Sequence, residues 1–241
     1  MAEKNAIIIG ATSGIGRHLA TVLAADGWHL GITGRREALL QEFADEVSTP
    51  VHTAVMDVAQ TAEAMETLES LIDTMGGVDL MVVNAGVGFA NFKIDWEPEK
   101  NTIDVNVTGF AAMANVAMRH FTARGSGHLV GISSLAGLRG MRGAPAYNAS
   151  KAFVINYLES LRHHAMKKNL NIDITDIRPG FVDTPMTKGQ KGMFWVATPE
   201  VAAGQIYSAI KAKKRVAYIT RRWRIMAWIA RLMPDFLWYR G

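Results

Sequence analysis

Short, mostly apolar runs alternate along the chain with stretches of helical length. The runs lie at residues 6–9, 28–32, 51–55, 80–83, 128–132, 172–177 and 216–219. They are rich in Val and Ile and nearly continuous in their apolar character, as strands covered on both faces are. The pattern predicts an α/β fold: one doubly wound parallel sheet of about seven strands with helices on both faces. Ligands of such sheets sit outside the carboxyl ends of the strands. Residues immediately after each run are therefore the functional candidates.

The first run ends in Gly10-Ala11-Thr12-Ser13-Gly14-Ile15-Gly16, and a helical stretch follows over 17–25. Glycines allow close backbone approach and torsions that a Cβ would block, while a helix start offers free N–H groups and a positive dipole end to a pyrophosphate. The turn predicts a dinucleotide site formed by Gly10, Ser13, Gly14, Ile15 and Gly16. The second run ends in Gly34-Arg35-Arg36, where an acid would accept hydrogen bonds from a ribose with a free 2′-OH. A guanidinium there pairs with a 2′-phosphate instead, so the expected cofactor is NADP(H). Arg35 is the favoured phosphate partner, with Arg36 either stacked on adenine or exposed.

After the fifth run come Ser133 and Ser134, then Tyr147-Asn148-Ala149-Ser150-Lys151 opening a helix that runs through Leu161. Tyr147 and Lys151, at i and i+4, share one helical face, and positive charge from the ammonium and from oxidised nicotinamide is expected to lower the phenol's pKa. A phenol suits proton return to a carbonyl oxygen as hydride arrives at carbon, and a serine hydroxyl suits holding that oxygen. Ser133 reads as structural.

The spacing of the glycine turn, the Asn84-Ala85-Gly86 run, Ser134 with Tyr-x-x-x-Lys, Asn106 and the later Pro179-Gly180 together resemble the short-chain dehydrogenase/reductase family, roughly over residues 5–220. That family usually has Thr before the first glycine, and this chain has Ile9. The resemblance implies a Rossmann-like fold and a tetrad of Ser134, Tyr147, Lys151 and Asn106. In it Lys151 also binds the nicotinamide ribose, and Asn106 organises a water that passes the proton to solvent. Tyr147 and Lys151 thus count among the cofactor contacts as well. It further implies that Asp57 and Val58 meet the adenine ring, and that Asn84, Ala85 and Gly86 line the adenosine side. Pro179, Gly180, Val182 and Thr184 are implied to meet the nicotinamide face and carboxamide. Dimers or tetramers through the helices carrying Asn106 and Tyr147 are common in the family, so a homodimer or homotetramer is expected.

Residues 185–198 hold Met186, Met193, Phe194 and Trp195, with glycines at 189 and 192, and read as a mobile lid with an apolar underside; packing in a core or subunit interface is the alternative. The expected substrate is a hydrophobic, even lipid-like, carbonyl or alcohol. Beyond the domain at 1–220, residues 221–241 form a basic amphipathic extension. Ile225, Trp228, Ile229 and Leu232 share one face of its helix, and Arg224 and Arg231 are expected to oppose it. Peripheral membrane contact or cover of a partner subunit would each suit such a helix.

Composition narrows these readings. In 241 residues there is no cysteine, and the adjacent His163 and His164 do not make a metal-ligand pair, so no metal is expected. Residues 211–241 carry nine Lys and Arg against one acid, a charge of +8, whereas the remaining residues sum to −4. That asymmetry argues against a nucleic-acid surface spread over the domain. No apolar stretch reaches the ~20 residues that span a bilayer. The first run begins too early for a leader, so the expected location is cytoplasmic, with possible membrane contact through the tail. The other function class is a sensor or partner-binding protein that holds NADP(H) with vestigial catalysis.

Overall fold

The computed structural model describes residues 4–189 and 192–238. Residues 190–191 of the expected lid and 239–241 of the expected extension lie outside the described residues. Seven parallel strands form one sheet in the order β3-β2-β1-β4-β5-β6-β7. They are β1 (Asn5–Ile9), β2 (His29–Gly34), β3 (Val51–Val55), β4 (Leu80–Val83), β5 (Ser126–Ile132), β6 (Asn171–Pro179) and β7 (Val216–Ile219). The expected doubly wound α/β fold is thus the observed one. The order reverses between β1 and β4, so a crevice opens where their carboxyl ends diverge.

The alternation of side chains along each strand divides the core in two. Ile7 and Ile9 of β1 pack with α3 (Thr61–Thr74), α5 (Phe110–Arg124) and α6 (Pro145–Lys167). Ala6 and Ile8 face α1 (Gly14–Ala25), α2 (Glu37–Glu46) and α7 (Pro199–Lys211). Both faces of β1 and β4 are buried, which is why these strands lack a polar side. Between α4 (Trp96–Ile103) and α5 the chain makes one π-helical turn, Asp104–Gly109, which carries Asn106. A 3₁₀ turn, Leu135–Leu138, follows β5.

The chain continues past β7 into α8 (Trp223–Leu232) and α9 (Asp235–Trp238). Trp223 and Ala227 of α8 are buried, while Ile225, Trp228 and Leu232 are at least 60% exposed. At about 100° per residue, Trp223 and Ala227 lie opposite the Ile225 face, and Arg224 and Arg231 fall on its border. The arginines thus flank the apolar residues and do not oppose them, contrary to expectation. The side facing away from the apolar stripe is the docked side, and the stripe faces solvent.

Candidate active site

Backbone geometry at the end of β1 is set by contacts that exclude side chains. Gly10 has φ +89°, and a Cβ there would lie 2.7 Å from the Ala85 Cα. A Cβ on Gly16 would meet the Gly10 carbonyl oxygen at 2.2 Å. Asn84 donates from Nδ2 to that same oxygen at 2.6 Å, which ties the turn to the end of β4. Where a threonine hydroxyl is missing at Ile9, its carbonyl accepts from the N–H groups of Asn84 (3.0 Å) and Ala85 (2.7 Å). Ser13 caps α1 without a side-chain bond to the helix, so the first N–H groups face the crevice unblocked.

Arg36 does not stand idle. It donates to the Thr12 hydroxyl (2.6 Å) and to the Ser13 hydroxyl (2.8 Å), fixing its guanidinium beside the glycine turn. Arg35 is exposed and lies 3.6 Å from the Asp57 carboxylate. The only acid that the sequence singles out at this end of the crevice therefore faces a cation. Gly34 makes room for Thr12, whose methyl group a Cβ would meet at 2.6 Å.

At the other end, Ser134, Tyr147 and Lys151 line one wall of the same cleft, which has a volume of about 520 Å³. Pro145 starts α6 with its φ preset and no N–H to satisfy, which places Tyr147 in the first turn. The tyrosine ring packs on Gly88, where a Cβ would lie 2.9 Å from Cδ2. Gly137 lets the 3₁₀ turn rest on the Lys151 backbone; a Cβ there would approach the Lys151 carbonyl carbon to 2.5 Å. Lys151 donates to the Ile132 carbonyl oxygen at 2.9 Å. The Ser134 hydroxyl accepts from the Ala136 N–H at 3.1 Å and reaches the Pro179 carbonyl only at 3.5 Å.

Electrostatics differ from the simplest expectation. Burial pushes the Tyr147 phenol up from its ordinary value, and the hydrogen bond with Ser134 opposes this in part. The ammonium of Lys151 sits 5.8 Å from the Tyr147 ring centroid, directed to the strand rather than to the phenol oxygen. Burial also lowers Lys151 to about 8, with the Asp176 charge acting in the opposite sense. Asp176 belongs to a buried group in which Ser133 donates to Oδ1 and Arg178 donates from Nε to Oδ2 at 2.6 Å.

Residues 4–193 match the family described as short chain dehydrogenase. The chain belongs to that family. Relatives include an uncharacterized oxidoreductase of Myxococcus xanthus, 41% identical over 192 residues that cover 78% of this chain and 75% of the relative. Another, from Staphylococcus epidermidis, is 31% identical over 189 residues, covering 78% and 81%. Among solved structures, a short-chain dehydrogenase/reductase of Burkholderia phymatum in complex with NAD shares the fold at a TM-score of 0.86 and 22% identity, covering 94% and 92%. A closed serine dehydrogenase complexed with NADP+ aligns at 0.79 and 27% identity, covering 89% and 93%.

In this short-chain dehydrogenase the crevice gathers most of the residues singled out in the sequence. Gly10, Ser13, Gly14, Ile15, Arg35 and Arg36 line its β1–β2 end. Asp57, Val58, Asn84, Ala85 and Gly86 line its middle, and Pro179, Gly180, Val182 and Thr184 face them from the β6 side. Two do not line it. Gly16 is walled off by Gly10 and Asn84, and Asn106 is 1% exposed behind Gly86. Asn106 accepts from the Val87 N–H (2.8 Å) and donates to the Val87 carbonyl (2.8 Å) and to Ser150 (3.1 Å). Ser150 in turn donates to the Tyr147 carbonyl at 2.8 Å. Every polar atom of the Asn106 side chain is committed to positioning the loop after β4 and the start of α6.

Sequence reasoning misses Thr12 and Glu99. Glu99 accepts from the Ala146 N–H at 2.8 Å and from Asn91 Nδ2 at 2.7 Å, linking α4 to the start of α6. Thr12 was open to detection as the polar residue inside the glycine turn. Glu99 carries no local signal of its tie to α6, because its partner there lies 47 positions away.

Proposed function

We propose that this short-chain dehydrogenase is an NADP(H)-dependent oxidoreductase that moves a hydride between nicotinamide and a hydrophobic carbonyl or alcohol, with Tyr147 as general acid and base. The observation that carries the reading is the placement of Ser134, Tyr147 and Lys151 on one wall of the cleft whose opposite end holds the glycine turn and two arginines. The residues present fit the cofactor: the cradle at Gly10 and Gly16 excludes any Cβ, and α1 presents unblocked N–H groups to a pyrophosphate. Gly10, Ser13 and Gly14 would hold the pyrophosphate, and Arg35 the 2′-phosphate, with Arg36 bracing the turn through Thr12 and Ser13. Asp57 and Val58 would flank the adenine, and Gly180, Val182 and Thr184 the carboxamide end. When bound, nicotinamide supplies or accepts the hydride.

The chain's own residues do the rest. A phenol raised by burial is protonated at neutral pH, the state in which Tyr147 gives a proton to a carbonyl oxygen. The Ser134 hydroxyl accepts from the Ala136 N–H and donates only over a long 3.5 Å contact to the Pro179 carbonyl, so its proton is available to that same oxygen. Lys151 spends one donor on Ile132 and keeps two for the ribose hydroxyls and the wall beside Tyr147. Phe89 and Met186, each about 40% exposed, line the mouth, which supports an apolar substrate. The test is NADPH oxidation with a panel of hydrophobic and small polar ketones and aldehydes, native protein against Tyr147→Phe. Turnover of the hydrophobic members, abolished by the substitution, is expected. Equal oxidation by both proteins, or turnover of small polar carbonyls alone, contradicts the reading.

A further inference from the structure

We infer that α8 and α9 are a docking surface for an anionic lipid membrane. Ile225, Trp228, Ile229 and Leu232 form one solvent-facing stripe on α8, and Phe236 and Leu237 continue the exposed apolar surface on α9. Arg224 and Arg231 border the stripe, and Arg221 and Arg222 precede it, all exposed. A helix with aromatic and aliphatic residues on one face and arginines along its edge lies in the headgroup region, its apolar face in the acyl boundary. Among the described residues no helix is long and apolar enough to cross a membrane, so the surface rests on the bilayer.

Charge chooses the occupant. A self-complementary contact between two copies would bring the same patch onto itself and set these arginines against their own copies. Only one acid lies within 211–241, Asp235, and it is already paired with Arg139. An anionic bilayer supplies the missing negative charge.

The docked side of the tail shows that the surface is held firmly enough to present. Trp223 packs on Gly180, where a Cβ would lie 2.1 Å from the indole, and meets Phe181, Phe194 and Trp195 edge-on or tilted at 5.0–5.6 Å. Arg139, one residue past the turn that Ser134 caps, donates to the carbonyls of Ala230 (3.1 Å) and Met233 and stacks 4.8 Å from the centroid of the Trp238 ring. The surface is thus fastened to the two segments that follow β5 and β6, and the cleft edge at Gly180 would lie beside the lipid.

The experiment is sedimentation of the full chain with vesicles of phosphatidylcholine alone and of phosphatidylcholine mixed with phosphatidylserine. Three proteins are compared: native, the pair Ile225→Ser and Trp228→Ser, and the pair Arg224→Ala and Arg231→Ala. Binding to the phosphatidylserine vesicles, weakened by salt and by about twentyfold or more on loss of two arginines, is expected. The apolar pair should lose binding to both vesicle types. Circular dichroism and NADPH turnover of a water-soluble aldehyde, which should not change, serve as controls for folding. Native protein that stays in the supernatant with phosphatidylserine vesicles overturns the inference while leaving the hydride reading standing. Vesicle binding without any NADPH turnover does the reverse. A concentration-dependent dimer that the serine pair abolishes assigns the face to a second copy and also overturns it.

Discussion

The Lys151 ammonium donates to the Ile132 carbonyl oxygen at 2.9 Å, so the charge beside Tyr147 is anchored to the strand that leads into Ser134. That bond fixes the lysine without neutralising it. Burial lowers it to about 8 against the opposing charge of Asp176, which puts the loss of its proton within reach of ordinary assays. Below that pH the ammonium is present; above it Lys151 is neutral, and its donors to ribose and its charge beside the phenol weaken. The kcat/KM for NADPH, which reports the free enzyme, is expected to fall as pH rises past about 8. Lys151→Arg should move that fall to higher pH, since a guanidinium keeps its proton. A flat profile to pH 10, a range chosen to pass the ordinary lysine value of about 10.4, would contradict the assignment.

Cofactor choice is expected to rest on the two arginines after β2. Arg35 is the freer of the two, loosely paired with Asp57, whereas Arg36 is fixed on Thr12 and Ser13. Arg35→Ala should weaken NADPH binding by about tenfold or more with little change for NADH, because only NADPH offers a 2′-phosphate to a charge-assisted bond. Arg36→Ala should weaken both, since its loss also frees the glycine turn. Dissociation constants for the two cofactors by fluorescence titration check this, and equal losses for Arg35→Ala would refute the 2′-phosphate role.

Gly137→Ala tests how the serine turn is held against α6. A methyl group there would lie 2.5 Å from the Lys151 carbonyl carbon, so the turn must move away. Such overpacking costs about 1–3 kcal/mol in thermal or denaturant unfolding. Because Ser134 opens that turn, kcat should fall more than the affinity for NADPH changes. An unchanged kcat in a destabilised protein would separate the turn from the reaction.

Acid stability is expected to depend on His128, which is 8% exposed and hydrogen-bonded to the Thr175 hydroxyl at 2.8 Å. Burial lowers it to about 4, against Asp173, which raises it. The folded state thus holds fewer protons at His128 than the unfolded chain, whose histidine titrates near 6.5. The contribution is complete above pH ~6.5 and is lost as pH falls through about 4, up to about 3 kcal/mol. His128→Gln, which keeps a hydrogen-bonding side chain but does not titrate, should flatten the decline of Tm with pH in that window.

How much of this could be read from the chain depends on the range of the interaction. All seven strands were legible because short β-branched runs have few other uses, yet β2 and β6 extend beyond their apolar runs through Gly34 and Pro179. Sheet hydrogen bonds belong to the backbone and continue where the side chains turn polar. The glycine turn, Ser134 and the Tyr147–Lys151 pair were legible because each lies within one element and its chemistry depends on spacing. Partnerships across long separations left no such trace: Arg139 with Ala230, or Glu99 with Ala146. Helical periodicity identified the apolar stripe of α8 but not its direction, because Trp223 wins the docked side by fitting Gly180, a contact no helical wheel contains, and Ala227 is buried with it.

In the proposed reaction Tyr147 supplies the proton that accompanies hydride transfer in this cleft. The most direct test is deuterium transfer from C4-deuterated NADPH to a hydrophobic ketone, followed by mass spectrometry of the alcohol. One deuterium on the carbinol carbon is expected with native protein and no detectable labelled alcohol with Tyr147→Phe, although that variant should still bind NADPH. Labelled alcohol formed at the same rate by both proteins would contradict it.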